Sequence, residues 1–384
     1  MRTLMISCGE PSGDAYAGAL ARELRRLEPG VRIIGLGGER LRAAGAELIG
    51  DYHGLAVTGL VEALAVLPRA WSMKRALVAG ARRSRPDALV LVDFPDFNFR
   101  LASSLRPAGV PIVYYVCPQV WAWRRGRLRV MRRLVDRALV IFPFEEAVFG
   151  EAGVPAEFVG HPLLDLAPPP GDRRALQEEW GLAPGAPLVA LLPGSRPNEV
   201  RSTIPTLASA VPLMARRIPG VQFVVGCAPN LDGSLFDPLR RAAGARVALV
   251  EGRADDVLRA SDAVVTASGT ATVQAAIHEC PMVIVYRVAP LTYRLGRRVV
   301  RLDTFGMANL IAGRRIVPEL IQDGFTPEAV TEAAARYFED PAHAAATRAA
   351  LREVRMRLGE PGASRRAAER ILALCAARPR RPGS

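Results

Sequence analysis

Lysine is all but missing from this chain. Lys74 is the only one, so nearly the whole of the +13 net charge is arginine. Base composition produces such an excess without functional pressure, and no RNA- or DNA-binding motif accompanies it, so nucleic acid is not expected as a partner. Long apolar runs are missing too. None approaches the roughly 20 residues of a membrane-spanning helix, and Met1 to Cys8 is too short for the core of a signal peptide. Cysteine is scarce and scattered. Cys8, Cys117, Cys227, Cys280 and Cys375 are odd in number, far apart and without metal-ligand spacing. That pattern excludes a disulfide framework and reads as reduced, mostly buried thiols in a cytosolic protein.

What the chain has is apolar content, half of 384 residues, which by length and composition suits two domains. Short Val/Ile/Leu-rich runs alternate with helical patterns from end to end, as in parallel sheets covered by helices on both faces, so the expected fold class is α/β. Strands are expected near 3–7, 32–36, 88–92, 110–116, 137–141 and 157–159, and again near 188–192, 221–225, 247–250, 263–266 and 282–286. Ala167-Pro168-Pro169-Pro170-Gly171 can continue neither helix nor sheet and reads as a linker. The expected organisation is therefore a first domain over 1–167, a linker over 168–171, a second domain over 172–360, a final helix over 361–377 free to pack back on the first, and a basic tail over 378–384. Two doubly wound, Rossmann-like domains would turn the carboxyl ends of their strands toward a shared cleft.

The motifs fall at those strand ends. Gly194-Ser195-Arg196 and Ser268-Gly269-Thr270 each carry an apolar strand into a small-residue turn ahead of a helix, where free N–H groups and an arginine can hold a diphosphate. Gly9-Glu10-Pro11-Ser12-Gly13-Asp14 follows the first strand, with a helix expected from about Ala15 that Ser12 or Asp14 would cap. Asp93-Phe94-Pro95-Asp96-Phe97-Asn98 sets two carboxylates beside rings that exclude water, which would raise a carboxylate toward general-base strength, although Asp96 or Asn98 equally suits a helix cap near Phe99. Gln119, Trp121, Trp123 and Arg124 suit a sugar ring or lipid headgroup, or a packed interface. His161 reads as structural or as a hydroxyl contact. Leu55 to Leu67 is apolar nearly all round, core or greasy surface, with Trp71 a turn beyond. Arginines crowd 124–133 and 294–301, where phosphates or a membrane surface would suit them.

Taken in order, Gly9-Glu10-Pro11-Ser12-Gly13-Asp14, Asp93-Phe94-Pro95-Asp96-Phe97-Asn98, Pro118-Gln119-Val120-Trp121-Ala122-Trp123-Arg124, Phe158-Val159-Gly160-His161-Pro162, Leu192-Pro193-Gly194-Ser195-Arg196, Ser268-Gly269-Thr270-Ala271, Tyr286-Arg287 and Asn309-Leu310-Ile311-Ala312-Gly313-Arg314 closely resemble the lipid-A-disaccharide synthases. The resemblance runs from the first strand to about Leu320. It implies an inverting GT-B glycosyltransferase that moves 2,3-diacylglucosamine from UDP-2,3-diacylglucosamine onto the 6-hydroxyl of 2,3-diacylglucosamine 1-phosphate, with no metal and no cofactor. It implies an acceptor-binding first domain and a UDP-sugar-binding second one. Asp93 would be the base and Glu10 would orient the acceptor, with Ser12, Gly13, Asp96, Gln119, Trp121, Trp123, Arg124 and His161 on the acceptor or its lipid. Gly194, Ser195, Arg196, Ser268, Gly269, Thr270, Gln274 and Asn309 would hold the donor.

The resemblance also implies a peripheral protein on the cytoplasmic face of the inner membrane, able to form a homodimer. Two positions depart from it. Gln274 stands where the family commonly has Glu, and without charge assistance to a ribose hydroxyl Gln274→Glu is expected to tighten UDP binding. Cys117 stands for a usual Ser. The alternatives are another UDP-sugar enzyme, such as a UDP-N-acetylglucosamine 2-epimerase, and a non-catalytic basic binding protein.

Overall fold

Strands apolar at every position, such as Ala88–Val92 and Leu188–Leu192, have no face to offer water, and both are buried along their whole length. The computed structural model describes residues 1–54, 60–119, 126–168, 171–229, 231–242, 244–287, 304 and 306–377. The chain divides into two units: Met1–Leu166 joined by the chain from Leu358 onward, and Ala167–Arg357.

The first unit holds seven parallel strands: β1 (Thr3–Cys8), β2 (Arg32–Gly37), β3 (Glu47–Asp51), β4 (Ala88–Val92), β5 (Ile112–Tyr115), β6 (Arg137–Val140) and β7 (Ala156–Phe158), in the order 3-2-1-4-5-6-7. The second holds six: β8 (Leu188–Leu192), β9 (Gln222–Cys227), β10 (Val247–Glu251), β11 (Ala263–Ala267), β12 (Met282–Tyr286) and β13 (Glu319–Ile321), in the order 10-9-8-11-12-13. Each sheet therefore reverses direction once, between β1 and β4 and between β8 and β11. Open parallel sheets bind ligands outside the strand ends at such a reversal.

Two strands escape the sequence reading. β3 and β13 are edge strands of five and three residues and are only half-buried, so neither needs the apolar run that marks a central strand. β5 begins two residues later than expected because Pro111 has no N–H for a ladder. The first helix begins at Pro11, not Ala15, and the fourth strand's helix spans Pro95–Leu105, each with proline at its first turn where the N–H would go unused.

The last helix, Ala363–Ala376, belongs to the first unit. Asp165 ties it down: its carboxylate accepts from Gly362 N–H at 2.5 Å and Ser364 N–H at 2.8 Å. Arg366 donates to the Val159 carbonyl at 2.8 Å. Among the described residues no helix is long and apolar enough to cross a membrane.

Candidate active site

At the first reversal Cys8 lies opposite Val92, so Gly9-Glu10 and Asp93-Phe94 leave the sheet side by side. Gly9 leaves room for the Phe94 ring. A Cβ there would lie 2.1 Å from the Phe94 ring. Asp93 and Phe94 both take left-handed backbone, φ +48° and +50°, as does Val116 at the neighbouring strand end, φ +57°. Each such non-glycine residue costs roughly 1–2 kcal/mol, and strain of that kind persists only where the surroundings over-determine it.

The surroundings do so here. Asp93 N–H donates to the Val116 carbonyl at 3.2 Å. The Asp93 carbonyl accepts from Tyr114 Oη–H at 2.8 Å and from Asn98 Nδ2–H at 2.7 Å. Asn98, fully buried, is fixed in turn: Ser7 Oγ–H donates to its Oδ1 at 2.7 Å and its Nδ2 reaches the Ser7 carbonyl at 3.2 Å. The result is a half-buried Asp93 on a backbone held by the β5 end and, through Asn98, by β1, with Phe94 stacked on Phe97 at 5.3 Å between centroids. Sequence reading weighed Asn98 only as a cap. Its clamp role has one signal, a polar residue on the buried face of a helix.

At the second reversal Leu192 lies opposite Thr266, which brings the Gly194-Ser195-Arg196 and Ser268-Gly269-Thr270 turns to adjacent strand ends. Both glycines have positive φ, +132° at Gly194 and +151° at Gly269. Ser195, Arg196, Gly269 and Thr270 are exposed. Arg196 and Gly269 stand at the N-caps of the helices Pro197–Arg217 and Thr270–Ile277, so each turn presents a helix N-terminus. The Ser195 N–H is engaged by Glu199 Oε2 at 3.0 Å, an acidic side chain on the anion-binding turn that sequence reading did not single out.

Several expected contacts change meaning. Asp14 does not cap its own helix: its buried carboxylate accepts from Gly38, Arg40 and Leu41 N–H groups at 2.7, 2.9 and 3.2 Å, which caps the short helix Glu39–Ala43. Ser12 and Gly13 lie in the first helical turn, Gly13 packed on Cys8 and the Val92 carbonyl. Asp96 is exposed and paired with Arg127; Gln119 is exposed. His161 is 2 % exposed, packed against Tyr16 and Phe142, and its Nδ1 accepts from Leu163 N–H at 3.2 Å. Burial pushes its pKa down to about 3, so it packs there as a neutral imidazole.

Asn309 is also saturated. Its Oδ1 accepts from Ile316 and Val317 N–H groups, and its Nδ2 donates to the Val317 carbonyl and to Glu319. It brackets the 306–319 segment instead of offering its amide outward. Gln274 donates to Asp255. Cys117 is buried, which pushes its thiol up, and its Sγ lies 3.5 Å from the Tyr114 carbonyl. Arg287 braces the second unit, with Nη1 to Thr206 at 2.8 Å and Nη2 to the Phe325 carbonyl at 2.5 Å. Trp121, Trp123 and Arg124, the Leu55–Gly59 stretch and Arg294 to Arg301 lie outside the described residues.

Two doubly wound parallel sheets, one in each unit, are the architecture of the GT-B fold class. The fold is similar to that of the calicheamicin glycosyltransferase, TM-score 0.63 at 17 % identity over 98 % of this chain and 99 % of that one. It is also similar to a UDP-GlcNAc 2-epimerase from Neisseria meningitidis bound to UDP-GlcNAc, TM-score 0.67 at 12 % identity over 97 % and 100 %.

Within that class the chain belongs to the lipid-A-disaccharide synthetase family, whose model matches residues 4–373. It is 44 % identical to a lipid-A-disaccharide synthase of Myxococcus xanthus (strain DK1622) over 97 % of each chain, and 43 % identical to one of Geobacter sulfurreducens over 96 % of each.

Proposed function

We propose that this chain is a lipid-A-disaccharide synthase, transferring 2,3-diacylglucosamine from UDP-2,3-diacylglucosamine to the 6-hydroxyl of 2,3-diacylglucosamine 1-phosphate with inversion. The observation that carries the proposal is positional: within a chain of that family, the two acidic motifs and the two glycine–serine turns fall on the reversal points of the two sheets. The epimerase alternative has likeness of fold alone on its side.

The chemistry divides between the units. In the second, Arg196 and two helix N-termini offset the charge of the departing diphosphate, which lowers the barrier to breaking the sugar–phosphate bond. In the first, Asp93 accepts the proton of the attacking hydroxyl, and its rigid backbone keeps the carboxylate aimed without reorganisation. Glu10, leaving the sheet beside it, orients the acceptor. UDP release is the test. With donor and acceptor in detergent, release should require the acceptor and fall at least 100-fold in Asp93→Asn; Asn tolerates left-handed backbone, so the fold should hold. Acceptor-independent release, or an active Asp93→Asn, would refute the base assignment.

The reading extends to a peripheral membrane contact through the helix Leu60–Ser84. Leu67 and Trp71 are 44 % and 54 % exposed. The Arg75 guanidinium lies 3.5 Å over the Trp71 ring, with Lys74, Arg82 and Arg83 lining the same surface. Apolar side chains ringed by cations suit an acidic lipid surface, here the cytoplasmic leaflet where both lipid substrates would reside. A homodimer is part of the same proposal, and sedimentation of the purified chain checks it.

A further inference from the structure

We propose that Asp255 is a positioning residue for the donor: its carboxylate holds the Gln274 NH2 and so fixes the amide with its carbonyl oxygen turned to the ribose hydroxyls. The assignment rests on the donor-site reading above. Gln274 lies one turn beyond Thr270 on the helix that begins at the Ser268-Gly269-Thr270 turn. The helix Ala254–Ala260, following β10, brings Asp255 alongside it. Gln274 Nε2 is 3.2 Å from Asp255 Oδ2, and His278 Nε2, one turn further along, is 2.8 Å from Asp255 Oδ1.

A carboxylate only accepts, so both partners must donate. The amide turns its NH2 to Asp255, and the imidazole carries its proton on Nε2. An unrestrained amide can rotate to present either donor or acceptor. Pinned in this way it presents Oε1, which has no protein partner among the described residues. An acceptor is what a ribose diol requires, and a glutamate at the same place would supply one by charge. In this chain the negative charge sits one contact further out, at residue 255 instead of 274.

The arrangement reverses the simple expectation for Gln274→Glu. That substitution would set two carboxylates at hydrogen-bond distance, where both cannot stay ionised in place. It should therefore weaken UDP binding, and Asp255→Asn should rescue it.

Calorimetry on the full chain with UDP, 2′-deoxy-UDP and 3′-deoxy-UDP tests this. The wild type should prefer UDP to the deoxy forms by about tenfold, the value of one good hydrogen bond. Asp255→Asn and Gln274→Glu should each lose about tenfold in UDP affinity and most of that preference, while the double variant returns to within about threefold of wild type. Matching melting curves exclude a folding defect, and simple structural damage would not be rescued by the second change. Gln274→Glu binding UDP as tightly as wild type, or a double variant no better than either single, would overturn the role of Asp255 alone. A wild type that does not bind UDP would overturn the donor-site reading beneath it.

Discussion

Asn98→Ala is the most telling perturbation of the first reversal point, because one buried side chain there holds both the β1 end and the Asp93 backbone. Truncation removes the acceptor of the Ser7 hydroxyl and one donor each from the Ser7 and Asp93 carbonyls. A buried polar group left without its partner costs about 1–3 kcal/mol, and the Asp93 carbonyl still has Tyr114, so the total comes to roughly 3 kcal/mol. Tyr114→Phe, which removes a single bond from the same carbonyl, should cost about 1 kcal/mol. Hydrogen exchange on peptides from β1 and β4 reads the first unit by itself, and urea titration gives the magnitude. Relaxation of Asp93 out of its left-handed conformation should also slow turnover tenfold or more, about 1.4 kcal/mol of barrier. Asn98→Ala losing less than about 0.5 kcal/mol, or no more than Tyr114→Phe, would refute the idea that this network holds the strained backbone in place.

Gly9→Ala should cost about 2 kcal/mol or more, since the new methyl overlaps the Phe94 ring, and pairing it with Phe94→Ala should recover stability but not activity; thermal melts and the UDP-release assay check both. For His161, the folded pKa lies below the ordinary value of about 6.5, so the unfolded chain binds the extra proton. Its stability contribution is complete above pH 6.5 and falls as pH drops toward 3, by about 2 kcal/mol between pH 6.5 and 5. His161→Asn should flatten that slope in urea titrations at the two pH values. Trp71→Ala with Leu67→Ser should reduce co-sedimentation with vesicles containing acidic lipid severalfold while leaving UDP affinity unchanged, and salt should weaken the wild-type binding.

Much of the fold is legible in the letters because buried parallel strands need continuous apolar runs, and such runs at β1, β4, β8, β11 and β12 have few other uses. The edge strands β3 and β13 were illegible for the converse reason: half-exposed strands of three to five residues satisfy their backbones without a distinctive composition. In the candidate site, glycine and proline were the readable part. The glycines answer to local backbone geometry, as at Gly194 and Gly269, and the proline linker to an inability to continue helix or sheet, whereas Pro11 and Pro95 open helices that were expected near Ala15 and Phe99. Polar side chains were harder. Asp14 and Asn98 each proved to serve backbone groups far along the chain, 24 to 27 residues away for Asp14 and 91 for Asn98 at the Ser7 carbonyl, while Asn309 closes a local segment seven to eight residues on.

By itself, then, the sequence determined the α/β class, the apolar strands and the small-residue turns, and the order of its motifs carried the resemblance to a family. These depend on neighbours in the chain: period, turn chemistry and helix caps. Strand order was left to the tertiary structure, and strand order is what makes β1 and β4, and β8 and β11, adjacent. Only that adjacency sets Glu10 beside Asp93 and one glycine–serine turn beside the other. It also decided which carboxylates are spent on capping, which histidine is buried, and that the charge missing from Gln274 stands next to it on Asp255. Pairings between strands and side chains remote in sequence are selected by the packing of whole sheets, and no local pattern encodes them.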